Sequence, residues 1–266
     1  MVVWHAMQGL KIMKMGAASG LCVAVLVLMS LSGSVLGAGY SAWRTDGHIT
    51  FYGSPNGGGT QAGACGYQNT YALGYGSMTA ALSTALFQGG AACGGCFEIK
   101  CIPPRSGKNW CFSYAKSIIV TATNLCPPGS TGGWCNPPRA HFDLPMPAFL
   151  TLAQKTGGVA PVAFRRVRCL KKGGVRFTVG GNPYFLMVLI SNVGGVGDIR
   201  SVKIKGSYTN WIPMYRNWGS LWTVRSKITG ALSFLITLSD GSTLPCTNAV
   251  QANFRFGQTW EARANL

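Results

Sequence analysis

Short apolar runs separated by turn signals dominate the chain from residue 40 onward. Between residues 40 and 169 they include Ser117–Thr123 and Val162–Val167, and glycine, proline and cysteine are frequent between the runs. Runs of this length, bounded by residues that favour turns, are typical of β-strands. The pattern therefore predicts a loop-rich β domain, with one or two short helices expected around Thr79–Phe87 and Ala148–Gln154.

The pattern changes after the segment Lys171-Lys172-Gly173-Gly174, beyond which cysteines become rare. The strand-like runs that follow are Val175–Val179, Tyr184–Ser191, Ile199–Ile204, Leu232–Leu238 and Asn253–Phe256. Strands at this spacing favour a small β-sandwich. We therefore predict two β domains, at residues 38–172 and 173–266.

The N-terminal segment has the layout of a secretory signal peptide. Lys11 and Lys14 precede an apolar run from Leu21 to Leu31, and small and polar residues follow that run. The run is about half as long as a membrane-spanning helix, which disfavours the alternative of an uncleaved anchor. We therefore predict a signal peptide at residues 1–37 and a secreted, extracellular protein.

Composition narrows the chemistry that this chain can perform. Its 266 residues include 23 Lys+Arg but only 6 Asp+Glu and 3 His. So few carboxylates disfavour calcium cages and two-metal sites, and we expect neither a metal nor another cofactor. The formal charge of +17 indicates an anionic partner. Nucleic acid is not expected, because the chain is predicted to be exported and carries no recognisable reading motif.

The cysteines are concentrated in the first predicted domain. Cys22 lies in the predicted signal, eight cysteines lie between residues 65 and 169, and Cys246 stands apart. In a secreted chain this density predicts four disulfides, whose pairing the sequence alone leaves open. A zinc or redox site at Cys93-Gly94-Gly95-Cys96 is disfavoured, because a matching second motif is absent from the sequence. We expect Cys246 to be a buried free thiol, with a cross-link between chains as the alternative.

His141 and Asp143 flank Phe142 in a segment that follows turn-rich, cysteine-bearing residues. Loops held by a rigid frame often carry functional side chains. If the segment is extended, His141 and Asp143 share one face and Phe142 points to the other. The structural alternative is that Asp143 makes a local turn or caps a helix beginning near Pro147.

Several motifs, in this order along the chain, resemble those of plant expansins. In the first domain they are Thr50-Phe51-Tyr52-Gly53, Gly63-Ala64-Cys65-Gly66-Tyr67, the cysteine-framed residues 93–101, Gly133-Trp134-Cys135-Asn136-Pro137-Pro138, His141-Phe142-Asp143-Leu144 and Phe164-Arg165-Arg166-Val167. The tryptophan-containing insertion before His141 is similar to that of the α-expansins. In the second domain they are Asn217-Trp218-Gly219 and Phe256-Gly257-Gln258-Thr259-Trp260.

The resemblance implies an all-β fold, in which a six-stranded double-psi β-barrel similar to family-45 glycoside hydrolases precedes an immunoglobulin-like β-sandwich carbohydrate-binding domain. It implies a monomeric protein of the plant cell wall that disturbs noncovalent contacts between cellulose and xyloglucan-type matrix glycans. It also implies the disulfides Cys65–Cys93, Cys96–Cys169, Cys101–Cys111 and Cys126–Cys135.

The resemblance implies a polysaccharide groove in the barrel, lined by Thr50, Tyr52, His141 and Asp143. Asp143 matches the general-acid position of the related hydrolases, but glycoside hydrolysis normally uses two acids. The segment expected to hold the second acid reads Thr121-Ala122-Thr123-Asn124, so we expect no glycanase activity. A weak endoglucanase is the less favoured alternative. A loop where many α-expansins carry aspartate has Asn56 instead, so a wall-binding protein without loosening activity stays open.

A second set of residues is expected to bind glycans through aromatic faces or through charge. The platform candidates in the second domain are Tyr184, Phe185, Trp211 and Trp218. Strand alternation lets only one of Tyr184 and Phe185 face the sheet surface. Anionic pectin is a further expected ligand, because basic residues cluster near the domain junction, namely Arg165, Arg166, Arg168, Lys171 and Lys172. Such binding should fade as salt screens the charges.

Overall fold

The computed structural model describes residues 41–266, so the predicted signal peptide at residues 1–37 lies outside the described part. Within that part, six strands close into a barrel in the order β1, β5, β2, β4, β3, β6. The barrel strands are β1 (Arg44–Tyr52), β2 (Thr79–Ser83), β3 (Cys96–Cys101), β4 (Ser117–Cys126), β5 (Ala140–Pro145) and β6 (Ala160–Val167). The pairs β1–β5 and β2–β4 are parallel, and the other neighbours are antiparallel.

Strand alternation in β5 separates the barrel core from the barrel surface. Phe142 points inward and packs edge-on against Phe97 at 5.2 Å and Phe164 at 5.0 Å between ring centroids. Leu144 is also fully buried in this core. Burying each such side chain contributes about 1.5–3 kcal/mol. The packing therefore fixes the register of β5 and turns His141 and Asp143 to the opposite face.

The helices are shorter than the sequence predicts. Residues 79–83 of the predicted helix Thr79–Phe87 form β2, and only α1 (Thr84–Phe87) is helical. All five residues of β2 are buried between β4 and β5, so pairing in the barrel overrides the local helical pattern. The second helix, α2 (Met146–Phe149), begins before the predicted range Ala148–Gln154 and ends within it.

The second half of the described chain is an antiparallel sheet folded into two layers. Its order is β13, β12, β9, β10, β11, β8, β7, β14. These strands are β7 (Arg176–Asn182), β8 (Phe185–Ser191), β9 (Ile199–Lys205), β10 (Ile212–Trp218), β11 (Leu221–Val224), β12 (Leu232–Leu238), β13 (Thr243–Val250) and β14 (Thr259–Glu261). The first part of β10 pairs with β9 and the last part with β11, so β10 belongs to both layers. Phe177 and Phe234 stack across the core at 4.2 Å, as expected for a sandwich.

Some strands in this half differ from those predicted. The predicted strand Asn253–Phe256 is wrong, because the segment forms turns in which Phe254 N–H donates to the Gln251 carbonyl. The strands β10, β11, β13 and β14 were not predicted. In β13 the exposed positions carry threonine, asparagine and Pro245, a composition typical of an edge strand and easily mistaken for a loop.

Four disulfides link residues between 65 and 169, and buried hydrogen bonds join the barrel to the sandwich. The structure joins Cys65 to Cys93, Cys96 to Cys169, Cys101 to Cys111 and Cys126 to Cys135, and leaves Cys246 as a buried free thiol. The Tyr67 hydroxyl lies 2.5 Å from Ser220 Oγ, and the Tyr75 hydroxyl accepts the Asn192 N–H at 2.9 Å. The described residues 41–266 lie in one compact unit, and the division into domains at residue 172 stays a prediction.

The described residues contain no helix with the length and apolar character of a membrane span.

Candidate functional site

Two parallel strands place the predicted groove residues side by side. The register of β1 and β5 sets Thr50 opposite Asp143 and His48 opposite His141. Because alternate residues of a strand share a face, these four side chains lie together. Thr50 Oγ1 is 2.7 Å from Asp143 Oδ1 and 2.8 Å from His141 Nε2. The threonine hydroxyl therefore links the acid to the histidine.

The Thr50 hydroxyl has only one proton to donate. The hydrogen bonds that join Asp143, Thr50 and His141 can therefore be arranged in two ways. When Asp143 is ionised its oxygens only accept, so Thr50 donates to Asp143 and accepts from His141 Nε2–H. His141 Nδ1 is then a bare acceptor, and it is buried with no partner among the described residues. When Asp143 is protonated it can donate to Thr50, which can in turn donate to an unprotonated Nε2. Protonation at Asp143 thus reverses the direction of both hydrogen bonds.

Burial acts in opposite directions on the acid and the histidine. It lowers the pKa of His141 from 6.5 to about 4, and repulsion from His48 and Arg139 adds to this effect. It raises the pKa of Asp143, and the hydrogen bond from Thr50 offsets part of the rise. Both changes favour the uncharged form of the group. Burial also raises the pKa of the neighbouring Tyr52 phenol, so Tyr52 stays neutral as well.

The ring of a tryptophan lies close to both histidine rings. Trp134 lies next to the Cys126–Cys135 disulfide, and its ring is 4.5 Å from that of His48 and 6.0 Å from that of His141. The Arg139 guanidinium lies 5.0 Å from the centre of the same ring.

His48 and Trp134 were missing from the predicted site, although each carried a sequence signal. His48 precedes Thr50 by two positions and so shares its face. Trp134 occupies the insertion next to a predicted disulfide.

In the described sheet, the position across β2 from Asp143 is occupied by Asn124 and not by a second acid. In register, Ala81 of β2 separates Asp143 of β5 from Asn124 of β4. Asn124 cannot ionise, and its Oδ1 accepts the N–H groups of Ala64 at 2.7 Å and Leu125 at 2.8 Å. Asn124 therefore anchors the adjoining loop and does not replace a catalytic carboxylate.

The remaining five carboxylates are bound elsewhere. Four form ion pairs, namely Asp46 with Arg44, Glu98 with Arg165, Asp198 with Arg166 and Glu261 with Arg176. Asp240 accepts hydrogen bonds from Ser242 within a turn. Asp143 differs from all of these in being linked through a hydroxyl to a histidine.

Asn56 stabilises the turn in which it lies. Its Oδ1 accepts hydrogen bonds from Ser54 Oγ at 2.5 Å and from Gly58 N–H at 3.1 Å, and the residue is exposed. An aspartate could accept the same two bonds, so the replacement changes the charge of the loop and preserves its hydrogen bonding.

The platform candidates divide between different surfaces. Phe185 projects outward from β8, and Trp218 pairs with the outward-facing Leu221 on the same layer. Trp218 is 47% exposed, and its ring packs against Gly66 of the barrel. Tyr184 lies in the hairpin turn between β7 and β8. Trp211 precedes the part of β10 that pairs with β9, and Lys205 lies 5.0 Å from its ring centre.

Tyr215 joins Trp218 on the outer face of the sheet, and the sequence did not reveal it. The residues 215 and 218 should face opposite sides of a regular strand. A bulge between Arg216 and Trp218 adds one residue and brings both rings to one face. At 72% exposure, Tyr215 is available to a ligand.

The basic cluster at the junction is largely engaged in contacts within the molecule. Arg165 and Arg166 pair with Glu98 and Asp198, respectively. Lys171 Nζ donates to Thr121 Oγ1 at 2.9 Å, and burial lowers the pKa of this lysine to about 8. These contacts reduce the charge that the cluster can present to pectin.

The low pKa of His141 predicts a specific acid sensitivity. Between pH 6.5 and about 4 the unfolded chain binds a proton that the folded chain does not, so His141 makes unfolding easier as the pH falls. Over this pH range, the unprotonated His141 lowers the free energy of unfolding by about 3 kcal/mol in total. In a His141→Gln variant, the loss of unfolding free energy between pH 7 and pH 4 should shrink by up to this amount. Denaturant unfolding of the wild type and of the variant at both pH values measures it. An unchanged pH dependence in His141→Gln would contradict the assignment.

Within the described residues, no group of three His, Cys, Asp or Glu side chains is arranged to hold a metal ion.

Comparison with known proteins finds expansins among the relatives of this chain. Residues 175–250 match the family described as Expansin C-terminal domain, and residues 79–164 match the double-psi barrel family described as Lytic transglycolase. Expansin-A7 of Arabidopsis thaliana is 48% identical over 252 residues, which are 91% of this chain and 94% of the relative. Expansin-A23 of the same plant is 49% identical, covering 85% and 82%. Expansin-A13 of Oryza sativa subsp. japonica is 45% identical, covering 92% and 97%.

Solved structures show the same fold. The crystal structure of an expansin from Clavibacter michiganensis has a TM-score of 0.61 at 22% identity, covering 85% of this chain and 96% of that chain. A mutant of that bacterial expansin, crystallised in complex with cellohexaose, has a TM-score of 0.62 at 23% identity, covering 84% and 98%.

Proposed function

Because this chain belongs to the expansin A family, we propose that it loosens plant cell walls by separating cellulose from matrix glycans without hydrolysis. The observation that carries the nonhydrolytic part is the single acid of the groove. Glycoside hydrolysis normally places two carboxyl groups about 5–9.5 Å apart across the bond. Here Asp143 faces Ala81 and then Asn124 along the groove floor. The site can hydrogen-bond a glycan but lacks the pair that cleaves one.

A short segment of the chain links the proposed groove to the proposed platform. Asn124 holds Ala64 by a hydrogen bond, and two residues later Gly66 packs against Trp218. An extended glucan can therefore lie with polar contacts at Asp143 and with its sugar faces on Trp218 and Tyr215. Aromatic rings suit this role, because they offer a large flat apolar face with a polar edge. The cellohexaose complex of the bacterial expansin supports a glucan ligand of this kind.

The groove acts on glycan hydrogen bonds through the chain Asp143–Thr50–His141. An ionised Asp143 only accepts from sugar hydroxyls, whereas a protonated Asp143 can also donate. Its raised pKa means that the donating form persists at a higher pH than for an ordinary aspartate. The groove can thus compete for hydroxyl groups that otherwise join two glycans, and no covalent bond breaks.

The finer parts of the proposal concern location and partners. We take the protein to be secreted into the plant cell wall, in keeping with the predicted signal at residues 1–37 and with its four disulfides. Xyloglucan-type glycans are the proposed matrix partners, and the protein is taken to act as a monomer with domains meeting near residue 172.

The test is creep of heat-inactivated plant wall strips under constant load, with the released reducing sugar measured in parallel. We expect extension without sugar release. Sugar released in proportion to extension would favour the endoglucanase alternative. Firm cellulose binding without extension would favour a wall-binding protein that lacks loosening activity.

Replacing Trp218 by alanine should weaken cellulose binding about ten-fold. A stacked aromatic contact removed from an exposed platform costs roughly 1–1.5 kcal/mol, and every 1.4 kcal/mol is a factor of ten. Depletion binding to microcrystalline cellulose measures the affinity. Trp211→Ala is the matched control, since Trp211 lies next to the other layer of the sheet. Equal losses in the two variants would remove Trp218 from the platform. A thermal melt checks that Trp218→Ala, which also loses its contact with Gly66, stays folded.

A further inference from the structure

A second cleft, of about 590 Å³, adjoins the histidine end of the groove. Trp134 and His48 line it on one side, so the cleft and the groove share a wall. Trp110 lines it as well, and proline rings and Val159 contribute further apolar surface. The cleft therefore offers two tryptophan side chains next to the place where a glucan is proposed to bind.

The charged side chains around this cleft are predominantly basic. Arg105 and Lys108 belong to its lining, and Lys108 Nζ lies 4.6 Å from the centre of the Trp110 ring. Arg139 lies over Trp134, on the shared wall. One carboxylate lines the cleft, that of Asp46, and both of its oxygens accept hydrogen bonds from Arg44, at 2.6 and 3.1 Å. The charge of Asp46 is thus balanced, and the remaining cations of the described lining face the cleft unopposed by an acid.

His48 adds a polar but uncharged group to the same wall. Burial lowers its pKa, and the positive charges of Arg139 and Arg105 lower it further, with Asp46 acting in the opposite direction. These two guanidinium groups are therefore close enough to act on the shared wall electrostatically. The positive charge of the cleft comes from arginine and lysine side chains.

This combination selects among sugars. A tryptophan face binds the C–H side of a pyranose ring, and guanidinium and ammonium groups bind carboxylates by charge-assisted hydrogen bonds. A neutral sugar would leave the cations without a partner. Asp143 in the neighbouring groove disfavours a carboxylate there when it is ionised, because like charges repel. The charges thus direct an acidic sugar to the cleft and a neutral glucan to the groove.

We propose that the Trp110–Trp134 cleft binds a uronic acid residue of an acidic wall polysaccharide. The proposal rests on the proposed wall-loosening function and extends it, because a shared wall lets one molecule hold a neutral glucan and an acidic glycan at once. It also moves the expected contact with acidic glycans from the junction cluster, where Arg165 and Arg166 are paired with acids, to the cleft.

The test compares two variants that each lose two positive charges. Arg105→Gln/Lys108→Gln removes the cations of the cleft. Arg200→Gln/Lys203→Gln removes exposed cations from β9 in the sandwich and is the matched control. The ligands are a de-esterified oligogalacturonide and the same oligomer fully methyl-esterified, measured by isothermal titration calorimetry. We expect the cleft variant to bind the de-esterified oligomer at least about ten-fold more weakly, since each lost charge-assisted hydrogen bond is worth about a factor of ten or more.

The control variant should lose less than about three-fold, because exposed charges at a distance are screened by salt. Equal losses in both variants, or equal binding of the charged and esterified oligomers, would overturn the proposal. A glucuronoxylan fragment serves as a second ligand, and the tighter of the two acidic ligands identifies the source of the uronate. Binding of neither would overturn the proposal.

Wall creep and cellulose binding, measured on the same preparations, separate this inference from the proposed function. If the wild-type protein extends walls but binds neither acidic ligand, only the proposal of uronate binding in the cleft is contradicted. A protein that binds uronate at the cleft but fails to extend walls contradicts the wall-loosening proposal instead.

Discussion

Replacement of Asp143 by asparagine is expected to reduce wall extension at least ten-fold while the protein stays folded. Asparagine has nearly the same size and can still bond to Thr50, but it cannot exchange a proton. The chain from Asp143 through Thr50 to His141 would then lose its second arrangement. Creep under constant load at acidic pH measures the effect. Asp240→Asn is the control, because Asp240 lies in an exposed turn of the sandwich. Creep retained in Asp143→Asn would contradict the role assigned to this acid.

The same variant should be more stable than the wild type at neutral pH. The raised pKa of Asp143 means that the fold disfavours its ionised form, so its contribution to stability is present below pH 3.8 and is lost as the pH rises through the folded-state value. Asparagine carries no such penalty. Thermal unfolding should therefore show a higher melting temperature for Asp143→Asn at pH 7, and the difference should vanish near pH 3. A side chain whose removal stabilises the fold but stops the activity is one retained for function.

Removal of the Cys96–Cys169 disulfide should give the largest loss of stability. This bridge closes a loop with a sequence separation of 73 residues. The loop-entropy relation then predicts that the double variant Cys96→Ala/Cys169→Ala loses about 4 kcal/mol of unfolding free energy. Denaturant unfolding, with both proteins handled under identical redox conditions, measures the loss. A loss below about 1 kcal/mol would contradict the loop-entropy account of this bridge.

The Cys126–Cys135 disulfide provides the contrast. Its sequence separation is 9 residues, so the same relation predicts a smaller loss, roughly 2–3 kcal/mol. This bridge, however, anchors the segment that carries Trp134 over His48 and His141. Cys126→Ala/Cys135→Ala should therefore impair creep more than its stability loss explains, whereas Cys96→Ala/Cys169→Ala should not. The reverse order would contradict a role for Trp134 in the proposed glycan site.

Local pattern was sufficient for some parts of the site and not for others. Strand alternation correctly put His141 and Asp143 on one face, since that depends only on two positions separated by one residue. The contact between Thr50 and Asp143 spans 93 residues of sequence and depends on which strands pair in the barrel. Its placement in the groove came from the resemblance to expansins, and its geometry came from the structure. The helix expected at Thr79–Phe87 failed for the same reason, because β2 is held by partners distant in sequence.

Irregularities in the strands explain what the sequence pattern missed. The bulge in β10 adds one residue between Tyr215 and Trp218, and strict alternation then assigns the wrong face to one of them. The position of Trp134 depends on the conformation of the loop after Cys126. This loop is rich in glycine and proline, so its sequence has no periodic pattern from which a structure could be predicted. The turn at Asn56, in contrast, depends only on local contacts. The Asn56 side chain bonds to residues two positions away on either side, so nearby sequence is sufficient to explain it.

The tyrosine contacts between barrel and sandwich bear on how the protein can move over cellulose. Tyr67 and Tyr75 are buried and bonded across the junction, and Arg176 of β7 donates to the Leu73 carbonyl at 3.1 Å. Processive movement along a glucan requires two binding sites that can shift relative to each other. Because these contacts join the barrel to the sandwich, we expect the proposed binding sites at Asp143 and Trp218 to stay at a fixed distance from each other. The protein would then travel distributively, releasing the glucan entirely before it binds again elsewhere.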